Sequence, residues 1–162
     1  MMPNQAQTPT LVQFPQLAQK TAVSLQPPSK IGEWSLSQIQ AALSRPLPPK
    51  LLSRKTIKGK QITFIHWYIA NNILDKYAPG WRWQIVSTYL SSDRLFLVGR
   101  LTIPTSEGRI YREATGTEEL KRLNGDGEAV ELAYGDPLSN AESMAFRRAA
   151  AKFGLGLYLY KD

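Results

Sequence analysis

The sequence predicts an α+β domain in which a three-stranded antiparallel sheet, the centre of a β-β-β-α core, packs against helices. Apolar residues recur at helical spacing in two segments before residue 81, at a period of two over residues 81–119, and at helical spacing again after Pro137. Only short polar connections separate the period-two segments, as is typical of antiparallel hairpins. The 162 residues are 43% hydrophobic, which is enough for one core.

The N-terminal segment, residues 1–31, is rich in Gln, Pro, Thr and Ser, and its apolar residues show no period. A segment of this composition does not need to fold. We therefore expect a flexible Gln/Pro-rich tail, which is a candidate for binding a partner protein, followed by a single domain over residues 32–162.

The first helix is predicted to begin after Ser35, because Gln38 stands where a capping-box partner belongs. An apolar stripe follows at helical spacing, and Pro46 ends the helix. The stripe consists of Leu36, Ile39 and Leu43.

A basic segment over residues 48–61 (PPKLLSRKTIKGKQ) is predicted to be a loop, with a turn at Gly59. It contains no acidic residue. Its cations are Lys50, Arg54, Lys55, Lys58 and Lys60.

Residues 62–80 are predicted to start in an extended conformation and to continue as a second helix, which Pro79-Gly80 stops. The apolar stripe of this helix is predicted to contain Trp67, Ile69 or Ala70, Ile73 and Leu74.

Three strands are predicted over residues 81–90, 93–104 and 108–119, with Ser91-Ser92 as the first turn. Alternation predicts that one face of the first strand consists of Trp81, Trp83, Ile85 and Tyr89. It predicts that one face of the second strand consists of Leu95, Leu97, Leu101 and Ile103.

An acidic segment over residues 117–137 is predicted to be a polar loop. It contains two basic residues and six acidic ones. The acidic residues are Glu118, Glu119, Asp126, Glu128, Glu131 and Asp136.

The last helix is predicted to start after Pro137, with Ser139 or Asn140 as its N-cap, and to end at Gly154 and Gly156. A helical wheel puts Phe146, Ala149, Ala150, Phe153 and Leu157 on a stripe that must be buried, and Arg147, Arg148 and Lys152 on the other half. The small alanines between them are expected to keep that surface low, so that a ligand backbone can approach closely.

Two interpretations of these helix cations compete. Cations opposite an apolar stripe are usually a solvated face. However, no acid follows Glu142 within the helix, and the basic segment is a second cluster without acids. Two such clusters in one small domain favour a phosphate-backbone ligand.

Composition excludes several functional classes. There is no cysteine and only one histidine, His66, so thiolate catalysis and histidine-based metal sites are not expected. The net charge is +7, from 20 basic and 13 acidic residues, which favours nucleic acid as a partner. No apolar run suits a membrane span and no secretory signal is evident, so we expect a cytoplasmic protein, associated with the nucleoid if bacterial, with no membrane partner.

Four segments in order resemble one family. They are residues 51–65 (LLSRKTIKGKQITFI), 71–85 (NNILDKYAPGWRWQI), 112–119 (REATGTEE) and 147–158 (RRAAAKFGLGLY). Together with the strand order, they are similar to the Rad-fifty-two superfamily of single-strand annealing proteins, which includes the bacterial DNA-damage-response A proteins. The resemblance covers about residues 36–160.

The resemblance implies a protein that binds single-stranded DNA and anneals complementary strands without ATP, in homo-oligomeric rings or arcs and in DNA repair or recombination. It implies no catalytic residue, no metal and no cofactor. The paired helix cations of the family match Arg147 and Arg148, its loop arginine matches Arg54, and its following lysine matches Lys60. Lys55 and Lys58 complete the expected basic surface.

The sequence departs from the family pattern at one helix cation, which falls on Ala151, with Lys152 next to it. Arg109 and Arg112 are candidates for the outer DNA site of some members. The chain ends at Asp162, so we expect it to lack the C-terminal half through which eukaryotic members bind a recombinase and the single-strand-binding protein.

Three alternatives remain open. One is a DNA- or RNA-binding module without annealing activity. Another, less favoured, is a magnesium-dependent nuclease built on Glu113, Glu119, Lys121 and Asp136. A third is an interaction module whose acidic segment binds the basic region of a neighbouring copy.

Further expectations concern the aromatic residues and the C-terminal segment. Because annealing needs free bases, basic contacts should outweigh aromatic stacking. Trp81, Trp83, Phe146 and Phe153 are expected to pack in the core, His66 to pack where the second helix begins, and Trp67 and Tyr68 fit either role. The C-terminal YLYKD is expected to form an edge strand or to cap the core.

Overall fold

The computed structural model describes residues 26–131 and 137–161. Its helices are α1 (Leu36–Leu43), α2 (Trp67–Tyr77) and α3 (Pro137–Ala151). Its strands are β1 (Ser53–Ile57), β2 (Lys60–Phe64), β3 (Arg82–Leu90), β4 (Arg94–Thr105), β5 (Gly108–Glu119), β6 (Lys121–Leu123) and β7 (Ala129–Glu131). Residues 1–25 of the predicted tail lie outside the described residues.

The central sheet has the order β3-β4-β5, with both pairs antiparallel, which confirms the predicted class and the three predicted strands. Ser91 donates its backbone N–H to the Arg94 carbonyl and so closes the first predicted turn. The predicted inner face of β4 is also confirmed, because its four leucine and isoleucine side chains are at most 5% exposed. They pack against the helices that cover this face.

Helix α1 begins at the predicted capping box. The Ser35 hydroxyl accepts from the Gln38 backbone N–H, and the Gln38 side chain accepts from the Ser35 backbone N–H. Ile39 and Leu43 are buried in the core, as the stripe predicts. The helix therefore satisfies its first free donors locally.

The basic segment is a hairpin rather than the predicted loop. β1 and β2 pair from Ser53↔Phe64 to Ile57↔Lys60, and they form a sheet separate from the central one. Lys58 and Gly59 connect them with φ angles of 49° and 79°. A two-residue hairpin turn of type I′ needs positive φ at both positions, so the prediction of a turn at Gly59 was correct.

Strand β3 corrects the predicted alternation. Ile85 pairs with Gly99 and Ser87 with Val98, so Val86 is an extra, bulged residue. Beyond the bulge Tyr89 pairs with Phe96 on the open face of the sheet, and the two are 61% and 44% exposed. Alternate residues of a strand share one face only as long as no bulge interrupts the strand.

The acidic segment is also more ordered than the predicted loop. β5 continues to Glu119, and β6 and β7 form a small hairpin whose turn includes Asn124 and Glu128. The rest of the segment, residues 132–136, lies outside the described residues.

Helix α3 begins at Pro137, so Ser139 and Asn140 lie in its first turn rather than at the N-cap. The chain leaves the helix after Ala151, and Gly154 and Gly156 follow with positive φ angles of 109° and 64°. The C-terminal Leu157–Tyr160 forms a 3-10 helix instead of an edge strand.

This 3-10 helix supports the alternative that the C-terminal segment caps the core. Leu159 packs against the core, and the Tyr158 hydroxyl accepts from the Leu47 backbone N–H at 2.9 Å. Leu157, which the helical wheel assigned to the buried stripe, is 47% exposed because it lies beyond the helix.

The predicted buried stripe of α3 is confirmed at Phe146, Ala149, Ala150 and Phe153, which are all buried. The prediction that small alanines lower the outer surface between the cations was wrong, because the alanines of the helix are buried. At Gly116 of β5 a β-carbon would overlap the Ala141 carbonyl oxygen, so helix and strand are in direct backbone contact there. The buried alanines of the helix are Ala141, Ala145, Ala149, Ala150 and Ala151.

Candidate nucleic-acid interface

A groove lies between the β1–β2 hairpin, helix α3 and the C-terminal 3-10 helix, and cations line it from both the helix and the hairpin. Its floor is largely apolar. The cations are Arg147, Arg148 and Lys55, and the other lining side chains include Ile62, Phe64, Met144 and Tyr160.

Arg147 is the most enclosed of these cations. Its guanidinium donates to the Ile65 carbonyl through Nη1 at 3.1 Å and to the Ser143 carbonyl through Nε at 3.1 Å. It also lies over the Phe64 ring, 5.4 Å from the centroid. These contacts leave the guanidinium little freedom to move.

Burial lowers the pKa of Arg147 from its ordinary value, the charge of Arg148 lowers it further, and Tyr160 acts in the opposite direction. A guanidinium nevertheless stays protonated in proteins. Arg147 is therefore a partly desolvated, fixed positive charge, the type of group that binds a phosphate oxygen most strongly.

Arg148 and Lys152 lie one turn apart on α3 and reach the free edge of the central sheet. Arg148 Nη1 donates to the Thr115 carbonyl at 2.9 Å, and Lys152 Nζ donates to the Glu113 carbonyl at 2.5 Å. Both side chains remain exposed. Because β5 is an edge strand, these contacts also occupy carbonyls that could otherwise pair with another chain.

These hydrogen bonds position the three helix cations without neutralising them, because each acceptor is a main-chain carbonyl. Ion pairs within the described residues include Arg94 with Glu119 at 3.1 Å and Arg100 with Glu113 at 2.6 Å, neither of which involves the helix cations. The groove thus keeps an excess of positive charge.

The hairpin divides its cations between two faces. Directly paired residues of an antiparallel ladder lie on the same face, so Lys55 and Ile62 share one face and Arg54 and Thr63 the other. Lys55 and Ile62 line the groove; Thr63 also borders it, whereas Arg54 does not. Lys55 Nζ lies 5.1 Å from the centroid of the Phe64 ring. The structure therefore brings Lys55, Arg147 and Arg148 together, but not Arg54.

The other predicted hairpin cations lie at its tip. Lys58 occupies the turn, and Lys60 begins β2, paired with Ile57. Both are exposed, at the end of the hairpin remote from Phe64 and Arg147.

Sequence reasoning missed two groove side chains, Phe64 and Tyr160. Phe64 could have been found if the basic segment had been recognised as a hairpin, because alternation then places it on the same face as Lys55. No signal in the sequence indicated Tyr160, whose place depends on the 3-10 turn.

The expected core packing of Trp81, Trp83, Phe146 and Phe153 is confirmed. Phe146 and Phe153 are buried, and the Trp81 and Trp83 rings lie 5.5 and 5.2 Å from the Phe146 ring. His66 lies at the N-cap position of α2. Trp67, however, is 50% exposed and does not belong to the buried stripe, while Ala70 and Leu74 do.

The carboxylates of the nuclease alternative are not brought together. Glu113 and Glu119 each pair with an arginine and lie roughly 20 Å apart along an extended strand. Asp136 lies outside the described residues. Within residues 26–131 and 137–161, no group of three His, Cys, Asp or Glu side chains is placed to hold a metal ion.

None of the helices described here is long and apolar enough to cross a membrane.

The chain resembles known DNA repair proteins over most of its length. The family model "Rad52/22 family double-strand break repair protein" matches residues 35–162. The chain is 34% identical over 129 residues to "DNA repair RAD52-like protein 1, mitochondrial" of Arabidopsis thaliana, over 78% of this chain and 68% of that protein. It is 43% identical over 100 residues to "DNA repair RAD52-like protein 2, chloroplastic" of the same plant, over 61% of this chain but only 46% of that protein.

These matches confirm the superfamily predicted from the sequence and its place in DNA repair and recombination. The chain belongs to the Rad52/22 family of double-strand break repair proteins.

Proposed function

We propose that this protein binds single-stranded DNA in the groove between α3 and the β1–β2 hairpin and anneals complementary strands without ATP. One observation carries the proposal: Arg147, Arg148 and Lys55 line a single groove, and the helix cations are held by main-chain carbonyls rather than by carboxylates. Phosphates can therefore bind to positive charges that are already positioned.

Contacts to phosphates fix a strand without reading its sequence. An annealing protein needs this property, because it must accept any strand and leave most bases free to pair. Annealing in this proposal depends on binding alone, and no residue has to carry out a chemical step.

The experiment is an annealing assay with two complementary oligonucleotides, one carrying a fluorophore and the other a quencher, in the absence of ATP. We expect the parent protein to accelerate quenching, and no quenching with a non-complementary partner strand. If the protein binds both strands but leaves the annealing rate unchanged, it is a nucleic-acid-binding module without annealing activity and the proposal is wrong.

We also propose that copies of the chain associate into a ring or arc. The supporting observation is an exposed apolar surface at edge strand β3, where Leu90 is 71%, Val86 43% and Tyr89 61% exposed. Large exposed apolar groups at a sheet edge favour association. Leu90→Lys should lower the molecular mass seen by mass photometry; an unchanged mass would exclude this edge as the contact.

A further inference from the structure

Two aromatic side chains on the first turn of α2 are not explained by packing. Trp67 is 50% exposed and Tyr68 is 47% exposed. Exposed rings of this size on a small domain often mark a binding surface.

These two rings belong to a continuous row of aromatic contacts. The centroid of the Tyr68 ring lies 5.0 Å from that of His66, with the planes 10° apart, and 5.9 Å from that of Trp67. The His66 ring in turn lies 5.1 Å from the Phe64 ring. Consecutive rings along the turn between β2 and α2 thus hold one another in place.

The row begins inside the basic groove. Phe64 is the ring over which both Arg147 and Lys55 lie. A strand whose phosphates follow these cations therefore passes next to an exposed aromatic surface. A positive groove beside exposed rings is the combination by which proteins hold single-stranded nucleic acid, with phosphates on the cations and bases on the rings.

The far end of the row is unsuited to phosphates. Trp67 borders a pocket that also includes Trp81, Trp83 and Glu142. Glu142 accepts from Trp83 Nε1 at 2.8 Å. A carboxylate in this pocket repels a phosphate backbone but not an uncharged base.

We propose that Trp67 and Tyr68 form a stacking platform for unpaired nucleobases of the strand that the basic groove holds. The ligand class is an unpaired base in single-stranded nucleic acid, since a base within a duplex cannot offer its face. The platform reaches few bases, so the others stay free to pair. This inference rests on the proposed function.

The test compares two labelled oligomers of equal length and equal phosphate charge: oligo-dT, and an oligomer whose residues are abasic tetrahydrofuran units. Fluorescence anisotropy gives the affinity of the full chain for each. The parent should bind oligo-dT more tightly, on the order of tenfold, because stacking contributes to each contacted base.

The variant Trp67→Ala/Tyr68→Ala should bind oligo-dT as weakly as the parent binds the abasic oligomer, with its own affinity for the abasic oligomer unchanged. The matched control Trp67→Phe/Tyr68→Phe keeps both rings and should keep the preference. Because both residues are exposed, the variants should unfold at a temperature close to that of the parent.

Several results would overturn the inference. Equal parent affinity for the two oligomers, or a preference that survives the alanine variant, excludes stacking but leaves the proposed function intact. If the alanine variant loses affinity equally for both oligomers, the rings support the fold rather than stack on bases. If the molecular mass of the alanine variant falls, the rings contact a second copy of the chain. If the parent binds neither oligomer, the proposed function fails as well.

Discussion

Arg147, Arg148 and Lys152 are fixed by contacts within the fold and are also the cations proposed to hold the ligand. Each donates to a main-chain carbonyl, of Ile65, Thr115 and Glu113 respectively. The sequence identified all three as cations without obvious acidic partners, and the described contacts agree. It could not indicate the carbonyl acceptors, because these depend on which strand edge the helix meets.

Arg54 and Lys55 provide a test at the scale of single residues, because the family resemblance points to Arg54 whereas the geometry of the groove points to Lys55. Lys55 shares its face with the groove, whereas Arg54 lies on the other face. Lys55→Ala should weaken binding of single-stranded DNA by roughly three- to tenfold, the loss expected for one phosphate contact, and Arg54→Ala should weaken it less. Both variants remove one charge, so each controls for the other in a filter-binding titration. The reverse order would mean that the strand crosses the opposite face of the hairpin.

At the scale of elements, the position of α3 on the sheet depends on small residues on both sides. Ala141 and Ala145 lie against Gly116, where a side chain on the strand would meet the helix backbone. This close approach also brings Arg148 and Lys152 within reach of the carbonyls of β5. The packing of the helix and the proposed binding therefore depend on the same element.

Gly116→Ala should destabilise the protein by about 2 kcal/mol or more, because helix and strand must separate to admit one methyl group. Thermal unfolding followed by circular dichroism measures the change. Gly125→Ala is the matched control, since nothing lies within 4 Å of a β-carbon built there and its φ is not positive. Equal melting temperatures for the two variants would contradict the close approach.

The elements that the sequence predicted well are those whose signals are local. The capping box at Ser35 and Gln38 and the buried leucines of β4 follow from spacing alone. The β1–β2 hairpin was missed because its strands contain few apolar residues and none of their residues is buried. The bulge at Val86 and the 3-10 turn after Gly156 depend on tertiary packing, which a single sequence does not display.

At the scale of the whole molecule, charge is distributed unevenly. The net charge is +7. Two arginines of β4, Arg94 and Arg100, pair with Glu119 and Glu113, whereas the groove cations on α3 donate to main-chain carbonyls. Binding of a polyanion should therefore release counterions and weaken steeply with salt.

The salt dependence of affinity for a labelled oligo-dT tests the central claim most directly. We expect Lys55→Gln/Arg148→Gln, which removes two cations that line the groove, to bind more weakly and to reduce the slope of log affinity against log salt by about 1.4, roughly 0.7 for each lost contact to a single strand. The matched control Arg45→Gln/Lys76→Gln removes two exposed cations outside the groove and should keep the parent slope. An unchanged affinity and slope in the groove variant would contradict the account.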